Sequence, residues 1–189
     1  MTKKHIRKTF LIISSVLLLA LASQPAGAQR TMKGQYFAEA SALWAGYRPG
    51  GQAMFGEYLQ NSFWAAGISV RSFSKKLSTS DLMPYLDICA EGEWRYRLLS
   101  TRSRMLSLYG GGGVMLGYEA YDPWGRLPET IDTGLGKGTF MYGISAGLQA
   151  EFFFTRSMAL HVGARVPINF SSDVDWFHWE LEAGLRLNL

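Results

Sequence analysis

From Tyr142 to its end the chain alternates apolar side chains with small or polar ones. Tyr142, Ile144, Ala146, Leu148, Ala150, Phe152 and Phe154 form one apolar series, and Met158, Leu160, Val162, Ala164, Val166, Ile168 and Phe170 a second. Phe177, Trp179, Leu181, Ala183, Leu185, Leu187 and Leu189 form the third. Between them stand Gly143, Gln149, Glu151, His161, Arg165, Asn169, His178, Glu180, Glu182, Arg186 and Asn188. A period of two marks a strand with one greasy face, and runs of about 13 residues exceed the roughly 5 to 6 of an ordinary soluble strand. Such strands cross something thick, and a bilayer fits.

The same pattern, read along the whole chain, predicts strands over 35–45, 52–59, 62–74, 81–97, 104–121, 140–154, 157–170 and 176–189. Short connections at 60–61, 98–103 and 155–156 alternate with others at 46–51, 74–80, 122–139 and 171–175. The expected fold is all-β: an eight-stranded antiparallel up-and-down transmembrane barrel, with the short turns on one side and the longer loops on the other. Aromatics on the apolar face support that orientation. Tyr36, Trp64, Trp94, Tyr96, Phe152 and Phe154 fall at the turn-side ends, and Trp44, Tyr118, Tyr142, Phe170, Phe177 and Trp179 at the loop-side ends, as two interfacial girdles would. A soluble lipocalin-like barrel is the competing architecture, but its outer face would be polar, and here the non-apolar face is small and glycine-rich.

Eight strands leave room for side chains and not for a water-filled pore. Glu39, Arg71, Asp87, Glu91, Glu93, Arg95, Glu119, Glu151, Arg165, Glu182 and Arg186 are expected inside, paired with one another because isolated charges cost several kcal/mol to desolvate. Pro167 cannot donate to a ladder, which predicts a bulge near the loop-side end of the seventh strand.

The first residues supply an address. Lys3, Lys4, Arg7 and Lys8 precede an apolar run from Phe10 to Ala22 and the small-residue site Ala26-Gly27-Ala28. Residues 1–28 therefore read as a secretory signal peptide cleaved between Ala28 and Gln29, with 29–189 as the barrel domain. Those four cations carry the whole formal charge of +4, because residues 1–28 contain no acid; removing them from 19 Lys+Arg leaves 15 against 15 Asp+Glu. The basic balance belongs to the leader, and no direct nucleic-acid binding is expected. Cys89 is the sole cysteine and has no partner for an intramolecular disulfide.

Candidate chemistry is sparse. Gly134 to Thr139 superficially resembles a phosphate loop, but Gly138 stands where Ser or Thr must follow Lys137. Gly110 to Gly113 lie mid-strand, where glycine marks a bend or a close approach. His178 and Glu180, with Ser171 and Ser172 in the adjoining loop, could be assembled into a lipid-modifying hydrolase site at the outer rim, although no specific motif accompanies them. His161 reads as a lumen hydrogen-bonder. No catalytic residue, cofactor or metal site is expected. The long loop from Asp122 to Thr139 carries Trp124, Arg126, Leu127, Ile131 and Leu135, a candidate partner-binding surface or a cover for the barrel mouth.

Leu108-Tyr109-Gly110-Gly111, Leu116-Gly117-Tyr118-Glu119, Gly125 and Leu127, Phe140-Met141-Tyr142-Gly143 and Leu148-Gln149-Ala150-Glu151, in that order and spacing, resemble the TraO family of Bacteroides-type conjugative transposons. The resemblance implies a non-enzymatic outer-membrane component of a Gram-negative bacterium. Its role would be structural or docking, within a conjugative DNA transfer, type IV secretion-like apparatus. Its partners would be outer-membrane lipid and other conjugative transfer proteins. A general envelope or adhesion barrel is the alternative, with the lipid enzyme behind it. The terminal Leu189 departs from the aromatic usual at the end of such barrels.

Overall fold

The computed structural model describes residues 33–45, 48–76, 82–102, 104–123, 138–172 and 176–189. It contains β1 (Gln35–Ala45), β2 (Arg48–Tyr58), β3 (Ser62–Lys76), β4 (Leu82–Ser100), β5 (Leu106–Tyr121), β6 (Gly138–Phe153), β7 (Met158–Asn169) and β8 (Glu180–Asn188). Each strand pairs antiparallel with its sequence neighbours, and β8 pairs back onto β1, so the sheet closes as the alternation predicts. The leader with its cleavage site at Ala28 and Gln29, and the loop residues Trp124, Arg126, Leu127, Ile131 and Leu135, lie outside the described residues.

Register fixes the shape of the barrel. Stepping between paired residues from Gln35 leads through Tyr58, Phe63, Arg95, Gly111, Gly147, Arg165 and Glu180 to Ala45, ten residues further along β1. Eight strands with a stagger of ten tilt by about 40° and enclose a wall of roughly 8 Å radius, given the usual rise and strand spacing. Inward side chains from opposite walls therefore meet across the axis.

Sorting of side chains is inverted relative to a water-soluble protein. Val114, Leu116, Ile88, Ile68, Ile144, Leu148, Leu181 and Leu185 stand exposed on the outer wall, while Glu119, Glu151, Glu180, Arg165 and Arg186 are buried. An apolar band of this extent around a whole barrel is the lipid-facing surface of a membrane-spanning strand set. Nine of the expected girdle aromatics, including Trp44, Trp94, Tyr118 and Trp179, are exposed on that wall; Trp64, Phe152 and Phe154 face the same way half-buried.

Several boundaries differ from those read in sequence. Strand β2 begins at Arg48, so residues 48–51 of the expected connection at 46–51 belong to the strand; Gly50 and Gly51 are ladder residues opposite Leu43 and Ala42. Strand β4 runs on to Ser100, and the turn falls at 101–105. Thr101 closes that turn, its carbonyl accepting from the Arg104 amide at 2.8 Å and its Oγ1 from the Leu106 amide at 3.2 Å. A bulge does occur, but in β4 between Arg97 and Leu99, and not at Pro167.

Pro167 instead interrupts a ladder. Arg165 pairs with Glu180, Ile168 bridges Phe177, and the Asn169 amide donates to the Trp176 carbonyl at 2.8 Å, all in one register. In that register Pro167 stands opposite His178, at a position where an amide would donate. Proline has none, so β8 begins at Glu180 and not at 176.

Candidate functional site: the bridged lumen

The turn-side end of the lumen is closed by aromatics. Phe37, Tyr58, Phe63 and Tyr109, at inward positions of β1, β2, β3 and β5, are fully buried with Met54 and Phe153. Phe63 meets Phe37 and Tyr109 edge-on at centroid distances of 5.5 and 5.1 Å, an arrangement the ring quadrupoles favour. Arg186 lies among these rings, its guanidinium carbon 4.1 Å from the Phe37 centroid and 4.3 Å from that of Phe63.

Arg186 also organises the first tier of charge. Its Nε and Nη2 donate to Glu39 Oε2 at 2.8 and 2.5 Å, and its Nη1 donates to Glu151 Oε1 at 2.8 Å and Tyr58 Oη at 3.1 Å. The Tyr58 hydroxyl donates to Glu151 in turn. Tyr58 on β2 and Glu151 on β6 come from opposite walls, so the tier crosses the lumen.

A second tier joins Arg95 on β4 to Glu93 at 2.8 Å and to Glu182 on β8 at 2.9 Å. In the third, Arg71 and Arg165 each pair with both Glu91 and Glu180. Arg165 reaches Glu91 Oε2 and Glu180 Oε2 at 2.7 Å each, and Arg71 Nε reaches Glu180 Oε1 at 2.5 Å. Glu91 further accepts from Ser69 and, at 3.0 Å, from Gln52 Nε2. Arg71 and Glu91 stand on β3 and β4, Arg165 and Glu180 on β7 and β8, so this closed ring of two cations and two anions ties opposite walls together. Reciprocal pairing with extra donors is what lets charge survive burial.

Ten of the eleven charges expected inside are buried, and Glu93 is half-buried against Arg95. Glu180, placed inward by its parity but assigned to a rim site with His178, is in fact the keystone of the third tier. The polar partners Ser41, Gln52 and Ser69 were legible only as inward positions.

The serines and histidines near the loop-side rim and in the lumen take the following partners. Ser171 Oγ donates to the Phe140 carbonyl at 2.8 Å and Ser172 Oγ to Glu119 Oε2 at 2.6 Å. His178 Nε2 lies 3.3 Å from Glu180 Oε1, and its ring packs edge-on against Phe73 at 5.1 Å. Deeper in, Ser41 Oγ and Glu39 Oε1 approach His161 Nε2 at 3.0 and 3.3 Å. A hydrolytic triad needs the carboxylate on the other ring nitrogen, and His161 Nδ1 has no hydrogen-bond partner among the described residues. No group of three or more His, Cys, Asp or Glu among the described residues could hold a metal. What the arrangement can do is seal and stiffen the barrel, leaving its rims and outer wall as surfaces for interaction.

The sequence model of the family described as conjugative transposon protein TraO matches residues 51–189. No curated protein matches the chain. Similar solved structures include the N-terminal β-barrel domain of Pseudomonas aeruginosa OprF, at 13% identity, with 83% of this chain and 98% of that one covered and a TM-score of 0.54. A major outer membrane protein from Thermus thermophilus aligns at 13% identity, over 82% and 99% of the two chains, with a TM-score of 0.52. Neisserial surface protein A aligns at 17% identity, over 82% and 95%, with a TM-score of 0.50. At these identities the likeness is one of fold.

Proposed function

We infer, since the chain belongs to the TraO family of conjugative transposon proteins, that it serves as a structural or docking component of a conjugative DNA transfer apparatus. It sits in the outer membrane of a Gram-negative bacterium, short turns facing the periplasm, and reaches that membrane by a signal peptide cleaved between Ala28 and Gln29. The observation that carries this reading is the family match over most of the barrel. A lumen bridged at three levels supports it, because a bridged barrel offers surfaces and no conduit. DNA itself passes elsewhere. The protein is non-enzymatic, and its partners are other transfer proteins, met at the periplasmic turns or through the loop bearing Trp124, Arg126, Leu127, Ile131 and Leu135.

Mating frequency from a donor carrying a clean deletion of the gene, with complementation by the intact gene, tests the role. A large and complemented loss is the expected outcome, and unchanged transfer overturns it. Replacing residues 124–137 by a short linker in the complementing copy then tests the loop: normal transfer with a folded barrel removes it from the docking surface.

A further inference from the structure

A shallow groove of about 420 Å³ indents the wall at the turn-side end of β4, β5 and β6, lined by Leu99, Leu106, Leu108 and Ala150 with Ser100, Thr101 and Ser107. The β4 bulge adjoins it, and Leu99 just past the bulge forms one bank. Arg97 pairs with Tyr109 and Leu99 with Leu108, so Leu98 is extra, and both Leu98 and Leu99 are pushed out onto the lipid-facing wall. On the opposite bank β6 presents only the methyl of Ala150, between Leu148 and Phe152. The groove therefore lies at the level of the turn-side aromatic girdle, where acyl chains meet headgroups.

Charge beside it is one-sided. The turn segments 59–61, 101–105 and 154–157 hold Arg102, Arg104 and Arg156 and no Asp or Glu, whereas the loop-side segments 77–81, 122–137 and 170–179 hold six acids against Arg126 and Lys137. The Phe153 amide donates to the Met105 carbonyl at 2.8 Å, which sets the Arg156 turn directly beside the Arg102 and Arg104 turn. All three arginines are exposed. Arg104 holds a φ of 56°, a left-handed conformation that glycine would adopt without strain, yet a long cation stands there.

We propose that this groove and its three arginines bind one anionic glycerophospholipid of the turn-side leaflet, an acyl chain lying between Leu99 and Ala150 and the phosphate under Arg102, Arg104 and Arg156. Arginine forks suit phosphate oxygens. Three cations with no neighbouring acid favour a headgroup of net negative charge over a zwitterionic one, whose own ammonium already answers its phosphate. Lipid A belongs to the leaflet on the loop side, where the connections are acidic. The site rests on the membrane-spanning barrel and on the proposed outer-membrane orientation, turns toward the periplasm, and is independent of the role in transfer.

Native mass spectrometry of the intact barrel in mild detergent tests it, with phosphatidylglycerol, phosphatidylethanolamine or lipid A added at equal concentration. One phosphatidylglycerol should be retained at least fivefold more than phosphatidylethanolamine. R102Q/R104Q/R156Q should erase that preference, and Ala150→Phe, which extends into lipid and not into the lumen, should cut retention at least threefold. Equal retention of the two phospholipids by the unmodified barrel, full retention by Ala150→Phe, or displacement by lipid A would each overturn the proposal.

Discussion

Arg186 and Glu39 face one another across the seam where the last strand meets the first, and two guanidinium nitrogens donate to one carboxylate oxygen at 2.8 and 2.5 Å. Replacing Arg186 by Met leaves Glu39 and Glu151 buried without their cation, which costs about 3–5 kcal/mol. Urea unfolding of the barrel in lipid vesicles measures it. Arg186→Lys should recover only a small part, because an ammonium cannot serve two carboxylates while lying flat between Phe37 and Phe63. The double variant E39Q/R186M should cost less than the two single changes summed, since it removes both ends of one interaction.

The ring of Arg71, Glu91, Arg165 and Glu180 predicts a barrel that does not conduct. In planar bilayers the purified protein should give no stable ionic steps. A reproducible open level would mean that the three tiers leave a continuous path.

Gly111 sits where two strand backbones nearly touch: a Cβ there would run into the Trp94 carbonyl oxygen and fall 2.7 Å from the Arg95 Cα. Gly111→Ala should therefore destabilise the barrel by about 1–3 kcal/mol, the usual cost of overpacking where rigid backbone must move. The same unfolding assay reads it, and a neutral result would show that the β4–β5 contact yields easily.

Pro167→Ala offers an amide to the His178 carbonyl. The gained hydrogen bond, about 0.5–1.5 kcal/mol, is offset by the lost proline restraint of about 0.4–1 kcal/mol, so stability should hardly change. Hydrogen exchange is the sensitive readout. The new amide at 167 should be protected like that of Asn169, and fast exchange there would mean that β8 stays detached above Glu180.

If Ser171, Ser172 and His178 are bystanders to chemistry, His178→Ala and the double S171A/S172A should leave the lipid A and phospholipid mass spectra of the cell unchanged. A new or missing acyl species would revive the hydrolase reading.

The wall of this protein was legible in its sequence because period two is set by backbone pleating alone. Leu148 and Leu185 out, Glu151 and Arg186 in, needed no knowledge of neighbours. Strand ends and irregularities were not. Whether Gly50 and Gly51 belong to a turn or a ladder depends on register with Leu43 and Ala42, and whether Pro167 bulges or merely drops a bond depends on His178 opposite. The bulge at Leu98 has no local signature in a run of Arg, Leu and Leu. The tiers were the least visible feature, since Arg71 finds Glu180 only after a ten-residue stagger has wrapped the sheet. The inward aromatics Phe37, Tyr58, Phe63 and Tyr109 share the parity of the buried charges, and a closer count at the turn-side ends would have found the plug.

Closure of β8 onto β1 also makes barrel assembly a proofreading step. Glu39 emerges early in synthesis and Arg186 among the last residues, so a chain interrupted before β8 leaves Glu39 with Ser41 and His161 but without its guanidinium. Such a fragment lacks the cation of that buried pair and keeps two unpaired strand edges in lipid, both costly. Only a chain that has delivered its final strand can hide them, and the salt bridge at the seam acts as the receipt that the whole message was read.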